Sequence, residues 1–179
     1  MLDEATLLKI MPHAKSRVQE FLEPLNAAMR EFHINTPVRQ AAFLAQIAHE
    51  SGELRYVKEL ASGAAYEGRA SLGNTQPGDG MKFKGRGLIQ ITGRNNYYEC
   101  GKALGVDLIT NPELLETNDL ACRSAAWFWA SRGLNDLADK GDINRICRRI
   151  NGGLNGLSDR MAYYLKSCKA LNYEPPKKL

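Results

Sequence analysis

The stretch TPVRQAAFLAQIAHESG, from Thr36 to Gly52, decides the expected architecture of this chain. Thr36 and Pro37 predict a helix start, because threonine caps free backbone N–H groups and proline fits the first helical position. The apolar side chains that follow recur with helical spacing and give the helix a buried face. Gly52 is typical of a helix end. The helix therefore carries a glutamate, Glu50, close to its C-terminal end.

Helical patterns continue on both sides of this stretch. An apolar stripe runs from Val18 to Phe32, and Ser16 has the capping-box spacing to Gln19. Pro24 lies inside this stripe, where it predicts a kink or a break. Caps and apolar spacing predict four later helices: residues 95–104, from Asn118 or Asp119 to Gly133, from Asp142 to 151–153, and from Asp159 onward. The fold class expected is mostly α, with at most a small hairpin.

Residues 61–87 are rich in glycine and have almost no periodic apolar residues. A long segment of this kind inside a compact domain is usually either a functional loop or a disordered one. Within it, residues 77–80 (PGDG) predict a turn, and the alternation in residues 82–84 predicts a short strand. No linker or internal repeat divides the chain, so a single domain is expected over residues 1–179.

Length and composition are those of an ordinary globular domain. The 179 residues are 44% hydrophobic and 25% charged, with a formal net charge of +4. A chain of this size buries roughly 70% of its unfolded surface and needs no disulfide or metal to fold. No apolar run is long enough to cross a bilayer, and the acidic start Met1–Glu4 does not read as a signal peptide. We expect synthesis in the cytoplasm and no stable membrane association.

Cysteines and histidines form no recognisable ligand pattern. The cysteines are widely separated: Cys100, Cys122, Cys147 and Cys168. Buried, reduced thiols are expected, and neither a metal site nor a cofactor. His49 does not begin an HExxH metalloprotease motif, because position 53 is Glu. Dinucleotide loops, phosphate loops and GxSxG elbows are missing as well.

Glu50 and Glu59 are the candidate catalytic pair. In one straight helix they would lie about 13.5 Å apart along the axis and on opposite faces. The helix stop at Ser51–Gly52 allows the chain to turn and bring Glu59 back opposite Glu50. Inverting glycoside hydrolysis needs two carboxyl groups about 6.5–9.5 Å apart, one as acid and one as base. Glutamates at this spacing are common, so the pair alone decides nothing; Glu53 and Glu67 are expected to be surface or turn acids.

Four ordered segments resemble the signatures of glycoside hydrolase family 19. They are FLAQIAHESG at 43–52, GRGLIQITGRNNY at 85–97, WFW at 127–129 and RINGG at 149–153. The first is similar to the helix that carries the family's acid. The resemblance covers about residues 36–165, which leaves a helical N-terminal part, 1–35, and a short tail, 171–179. Within the family, the chain looks most like the phage endolysins, which cleave bacterial peptidoglycan, rather than the plant chitinases.

The resemblance implies a role for each matching residue. Glu50 matches the general acid, Glu59 the general base, and Thr92 the hydroxyl residue that helps to hold the attacking water. The residues that match sugar-binding positions are Gln90, Asn96, Tyr97, Asn151 and Arg160. Amide and hydroxyl groups both donate and accept hydrogen bonds, which suits an uncharged acetamido sugar. Alternation along residues 88–92 predicts a strand that points Gln90 and Thr92 toward a ligand together.

The resemblance also implies a lysozyme-like, two-lobed domain with a central substrate cleft. The expected substrate is bacterial peptidoglycan, cut by a monomer that has no nucleic-acid partner. Without an export signal, the protein would reach the wall after the host membrane has been permeabilised. The small positive charge suits an anionic polymer such as the cell wall.

Three other functions stay open at this point. A chitinase would apply the same chemistry to a polymer of N-acetylglucosamine, and a glycan-binding protein would use the scaffold without chemistry. Nucleic-acid binding is the weakest alternative, because the charge is only +4 and no binding motif is present. Single residues also have structural interpretations. Arg86 and Arg160 can bond carboxylates or helix ends, and Trp127 and Trp129 are expected to pack in the core.

Overall fold

Helices account for most of the chain, as predicted. The computed structural model describes residues 1–177; Lys178 and Leu179, the end of the predicted tail, lie outside the described residues. The α-helices in that range are α1 (Glu4–Ile10), α2 (Arg17–Glu31), α3 (Pro37–Ser51), α4 (Asp79–Lys82), α5 (Arg94–Leu104), α6 (Asn118–Ser131), α7 (Leu134–Asp139), α8 (Ile143–Asn151) and α9 (Leu157–Ala170). Short 3-10 turns lie at Ala64–Tyr66, Ala70–Leu72 and Pro112–Glu116.

The ends of α3 and α8 confirm the predicted caps. The Thr36 side chain accepts a hydrogen bond from the Arg39 N–H, and Gly52 ends α3 in the left-handed conformation, with φ of 58°. The Asp142 side chain accepts from the Arg145 N–H at the start of α8. Local caps determine both helices because each satisfies backbone groups that the helix itself leaves free.

The start of α2 and its proline differ from the prediction. Ser16 has helical dihedral angles and forms no side-chain cap, so the predicted capping box is wrong. The Gln19 amide donates to Glu4 of α1 instead. Pro24 was predicted to kink or break the helix; it lies within one continuous helix, so the break is wrong and the kink stays a prediction. Tertiary burial of one face, which includes Phe21 and Leu25, stabilises α2 across the proline.

Helix α3 lies at the centre of the core. Every residue from 41 to 48 is buried, and α3 packs along α9, while α2 packs against α6 and α1 against α9. Trp129 of α6 is fully buried and meets Phe43 edge to face, with ring centroids 5.5 Å apart. Trp127 is half-buried and also packs against the core. The core prediction is confirmed for both tryptophans, and α3 reaches solvent only at its two ends, in residues 37–40 and 49–50.

The glycine-rich segment is ordered by turns and one short helix. Gly78 has φ of 89° and begins α4, in agreement with the predicted turn at residues 77–80. The predicted strand at residues 82–84 is wrong, because Lys82 is the last residue of α4. Two isolated antiparallel bridges, Lys58 with Arg86 and Arg86 with Ile91, are the β-structure of the described residues.

The four cysteines are buried and unpaired, as predicted. Burial raises the pKa of the Cys100 thiol to about 12, so this thiol is protonated at neutral pH. Between residues 1 and 177, no group of three His, Cys, Asp or Glu side chains is placed to hold a metal ion. The same residues include no helix with the length and apolar character needed to cross a membrane.

Candidate active site

Glu50 lies in the last turn of α3 and is held by a buried arginine of α9. Its Oε1 accepts a hydrogen bond from Arg160 Nη2 at 2.7 Å. Arg160 is only 2% exposed and also donates to Gln46 Oε1 and to the Asn155 carbonyl, at 2.5 Å and 3.1 Å. Gln46 and Glu50 are four residues apart, so both face α9. The Glu50 side chain keeps 20% of its surface exposed, which leaves it accessible to a substrate.

Glu59 is fixed by a short antiparallel pairing. The Glu59 N–H donates to the Gly85 carbonyl at 2.9 Å, and the Gly87 N–H donates to the Val57 carbonyl at 2.8 Å. The Glu59 carboxylate accepts from the Gly85 N–H at 2.6 Å and from the Tyr66 hydroxyl at 3.2 Å. Both bonds are accepted by Glu59, so they suit the ionised form that a general base requires.

Gln90 and Thr92 lie beside Gly85, next to Glu59. A Cβ atom on Gly85 would come within 2.6 Å of Gln90 Oε1 and 3.3 Å of Thr92 Oγ1, so a larger residue there would displace the end of the Gln90 side chain. The predicted strand along residues 88–92 is wrong: Arg86 and Ile91 exchange backbone hydrogen bonds around a tight turn, and Gln90 has φ of 64°. The two side chains nevertheless come together, because the turn returns both to Gly85.

Asn96 and Tyr97 support this turn from the start of α5. Asn96 Nδ2 donates to the Thr92 carbonyl at 2.8 Å. Tyr97 is fully buried; its hydroxyl donates to the Lys84 carbonyl and accepts from Arg86 Nη1. Burial raises the pKa of Tyr97, so the phenol stays protonated. This placement differs from the sugar-binding role that the resemblance implies for Tyr97, since no surface of its side chain is left for a sugar.

Asn151 is the last residue of α8, and its side chain is exposed. The loop that follows it reaches Arg160 through the Asn155 carbonyl. Over residues 1–177, no side-chain hydrogen bond joins Asn151 to Glu50 or to Glu59. His49, the neighbour of Glu50, lies 2.7 Å from Asp159 Oδ2 through its Nδ1 atom. Asn151 therefore lies where α8 meets the loop that leads to α9, and its side chain is exposed to solvent.

The predicted site residues thus form two groups joined by residues 51–58. The first contains Glu50 and Arg160. The second contains Glu59, Gln90 and Thr92, with Asn96 behind them. Each carboxylate has its own hydrogen-bond donors, and the two lie in different environments. This is the arrangement that lets one carboxyl group act as an acid while the other acts as a base.

Three polar residues were missed or misread from the sequence. The sequence places Gln46 in an apolar helix and gives no sign that it binds Arg160. Tyr66 lies in the glycine-rich segment, and no pattern there indicates that it is a partner of Glu59. Glu53 was predicted to be a surface or turn acid; it does lie in a turn, but it is only 5% exposed, so the expected surface position is wrong. Glu67 is a turn acid, as predicted. It accepts from the Gly78 and Gly80 N–H groups, and these bonds lower its pKa.

Known proteins are similar to this chain in sequence and in fold. The model of the family described as Chitinase class I, glycoside hydrolase family 19, matches residues 33–140. The chain belongs to glycoside hydrolase family 19. It is therefore a glycosidase by family, as the resemblance implied. The division of the family to which the chain belongs stays a prediction.

Relatives of this family 19 chain occur in bacteria and plants. A Haemophilus influenzae protein described as a glycosyl hydrolase family 19 domain-containing protein is 34% identical, over 92% of this chain and 94% of its own. An Arabidopsis thaliana endochitinase is 37% identical over 75% of this chain. The alignment covers 48% of that endochitinase, so this chain matches about half of the plant enzyme's length.

The solved structures show the same fold. A bacterial family 19 chitinase superposes with a TM-score of 0.83 and 28% identity, over 98% of this chain and 97% of its own. Chitinase C from Streptomyces griseus superposes with a TM-score of 0.82, over 98% of this chain and 78% of its own. At 23% identity, that second likeness concerns the fold alone. The predicted lysozyme-like, mostly helical fold is confirmed.

Proposed function

We propose that this family 19 protein hydrolyses glycosidic bonds in an acetamido-sugar polymer, with inversion at the anomeric carbon. Glu50 is the general acid, and Glu59 is the general base that activates water. The observation that carries the proposal is the separate anchoring of two carboxylates, Glu50 by Arg160 and Glu59 by Gly85 and Tyr66. A site of this kind performs the two proton transfers that inverting hydrolysis needs.

On the acid side, Arg160 holds one oxygen of Glu50 and leaves the other for the substrate. Among residues 1–177, Glu50 Oε2 has no hydrogen-bond partner, so this oxygen is the one that carries the proton to the leaving sugar oxygen. Proton transfer leaves Glu50 as a carboxylate. The fixed guanidinium of Arg160, 2.7 Å from Oε1, stabilises that negative charge as it develops.

On the base side, a water molecule between Glu59 and the sugar loses its proton to Glu59 as it attacks. The Gly85 N–H and the Tyr66 hydroxyl orient the carboxylate for this step. Thr92, beside Gly85, supplies the hydroxyl group that holds the water in place. Gln90 offers an amide next to the same position for a sugar substituent.

We propose bacterial peptidoglycan as the polymer. Its support is the resemblance of the four motifs to endolysins and the net charge of +4, which suits an anionic wall. On this proposal the protein acts as a monomer, without nucleic acid, on wall reached from inside a permeabilised host cell. Exposed Asn151 and half-buried Gln90 are the amides available to bind the glycan strand.

Chitin is the second candidate, and the names of the relatives favour it. The plant relatives are endochitinases, and the bacterial structure with a TM-score of 0.83 is a family 19 chitinase. Both polymers present N-acetylated sugars, so the same acid and base serve either. The choice between them depends on whether the site around Glu50 and Glu59 accepts the lactyl-peptide branches that only peptidoglycan carries.

The deciding experiment digests purified peptidoglycan and chitin oligomers side by side with the wild-type protein. Mass spectrometry of the released fragments identifies the bond that is cut and the sugar at the new reducing end. Proton NMR of a fresh digest is expected to show products of inverted anomeric configuration. Products of retained configuration would rule out the proposed roles of Glu50 and Glu59, and cleavage of chitin alone would select the second candidate.

A further inference from the structure

Glu53 is a buried carboxylate that the proposed chemistry does not use. It is 5% exposed, although it follows the exposed helix end at Gly52. Its Oε1 accepts from the His13 N–H at 3.0 Å, and its Oε2 accepts from the Tyr163 hydroxyl at 2.9 Å. The backbone carbonyl of Glu53 lies 3.4 Å from Arg17 Nη2. Glu53 is therefore bonded to the N-terminal region and to α9 at once.

The backbone at Glu53 is in an uncommon conformation. Gly52, Glu53 and Leu54 have φ values of 58°, 58° and 69°, so three successive residues are left-handed. Residues other than glycine adopt this conformation only where their surroundings fix it. The side chain of Leu54 is buried, and its N–H donates to Ser51 Oγ at 2.9 Å. The carboxylate bonds of Glu53 and the burial of Leu54 supply the required surroundings.

This turn lies on the covalent path between the two catalytic carboxylates. Glu50 precedes it by two residues, and the pairing that fixes Glu59 begins at Val57, where the Gly87 N–H bonds the Val57 carbonyl. The direction in which the chain leaves α3, together with the pairing to residues 85–87, therefore sets where Glu59 stands relative to Glu50. A change in the backbone conformation of the turn would therefore change the position of the Glu59 carboxylate relative to that of Glu50.

Helix α9 contacts both Glu50 and Glu53. Arg160 bonds Glu50, and Tyr163, three residues later on the same face of α9, bonds Glu53. The two glutamates are also three residues apart in the sequence. These two bonds attach both the last turn of α3 and the left-handed turn to α9.

We infer that Glu53 is a positioning residue that fixes the separation of Glu50 and Glu59 by holding the left-handed turn against α9. The inference rests on the proposed function only for its effect on rate. The geometric part, that Glu53 determines the path of residues 51–58, holds whatever substrate the protein cleaves.

The test compares four variants with the wild-type protein on a soluble substrate. Glu53→Ala removes both hydrogen bonds, and Glu53→Gln keeps them, because the Tyr163 hydroxyl can rotate and accept from the amide. Tyr163→Phe removes one bond. Asn26→Ala is the matched control, because Asn26 is also 5% exposed and its side chain also makes two hydrogen bonds, with the N–H and the carbonyl of Leu2, far along the chain from the turn.

We expect Glu53→Ala to lower kcat by about 10–100-fold with KM within about twofold, since a misplacement of 1 Å costs about 100-fold. Tyr163→Phe lowers kcat less, Glu53→Gln restores it, and Asn26→Ala lowers only the melting temperature. A crystal structure of Glu53→Ala is expected to show changed dihedral angles at residues 52–54 and a changed distance between the Glu50 and Glu59 carboxyl groups.

The inference is overturned if folded Glu53→Ala keeps the wild-type kcat, or if its crystal structure keeps the wild-type turn. If Glu53→Ala does not fold, unchanged kcat in Tyr163→Phe overturns it equally. Glu50→Gln assayed in parallel separates the two proposals. If that variant keeps full activity, the proposed acid is wrong, and the crystal structure of Glu53→Ala still decides the geometric part.

Discussion

Two tyrosines near the site show how the same phenol group performs different tasks. Tyr66 is half-exposed and donates to Glu59, whereas Tyr97 is fully buried and bonds Lys84 and Arg86. Burial, together with the nearby Glu59 carboxylate, raises the pKa of Tyr66, so its phenol stays protonated and remains a donor. Tyr66 therefore acts on the base, and Tyr97 acts on the framework around it.

Replacing Tyr66 with phenylalanine tests this difference. A hydrogen bond to a charged group contributes about 1.5–3 kcal/mol, and about 1.4 kcal/mol corresponds to tenfold in rate. Because this bond is long, at 3.2 Å, we expect Tyr66→Phe to lower kcat by about tenfold and to leave KM unchanged in steady-state kinetics. Tyr97→Phe is the comparison, expected to lower the free energy of unfolding by about 1–3 kcal/mol and to lower kcat less than Tyr66→Phe does, because Tyr97 does not contact Glu59. Wild-type kcat in Tyr66→Phe would show that Glu59 needs no such donor.

At the same scale, the sequence predicts residues whose role is local and misreads those whose role depends on distant partners. Glu50 could be singled out because it ends an apolar helix before a helix stop. The prediction of a surface or turn acid at Glu53 missed its burial, because its partners His13 and Tyr163 lie 40 and 110 residues away. No sequence pattern within a few residues of Glu53 predicts those contacts.

At the scale of elements, caps and apolar spacing predicted α3, α5 and α8 well. Their ends are determined by neighbouring residues, such as Thr36 and Asp142. The predicted break in α2 failed because packing holds the helix across Pro24. The strand expected at residues 88–92 failed because backbone bonds between Arg86 and Ile91 close a tight turn, which alternation alone does not distinguish from a strand.

The glycine-rich segment that carries Tyr66 is held by an ion pair whose carboxylate is buried. Asp79 is buried and accepts two bonds from Arg94, at 2.8 and 2.9 Å, while its Oδ2 also accepts from the Gln76 N–H. The side-chain bond from Arg94 is the main cause that lowers the pKa of Asp79, and the Gln76 N–H adds to it. The ionised carboxylate therefore stabilises the folded segment.

We expect Asp79→Asn to lower the free energy of unfolding by about 1.5–3 kcal/mol at pH 7 in urea titrations. Because the folded pKa lies below the unfolded value, the contribution is present above about pH 4 and is lost as the pH falls through the folded pKa. The difference between wild type and variant should therefore shrink in acid.

The matched control is Asp139→Asn. Asp139 accepts two bonds from Arg39 in the same geometry, but its side chain is 41% exposed. An exposed pair contributes at most about 1 kcal/mol, so this variant should remain close to wild type. Equal losses in the two variants at pH 7, or a loss in Asp79→Asn that does not change with pH, would contradict this account of the segment.

At the scale of the whole molecule, one apolar core extends from Leu2 to Cys168 and includes α3 at its centre. The fold class follows from the sequence because helical spacing recurs along almost the entire chain. The sequence does not predict how the two groups of site residues come together, because the position of Glu59 depends on pairing with residues 85–87, far along the chain. The four ordered motifs supplied what spacing alone could not, and family membership agrees with them.

The central claim is that Glu50 gives the proton in glycosidic hydrolysis. Its most direct test is the kcat of Glu50→Gln on soluble acetamido-sugar oligomers, with circular dichroism as the control for folding. Glutamine can still accept from Arg160, so the fold is expected to persist. The account predicts a loss of at least about 100-fold, since general acid catalysis contributes about 10²–10⁴-fold. A folded Glu50→Gln protein with a kcat within about threefold of wild type would contradict it, because that lies far below the contribution of a general acid.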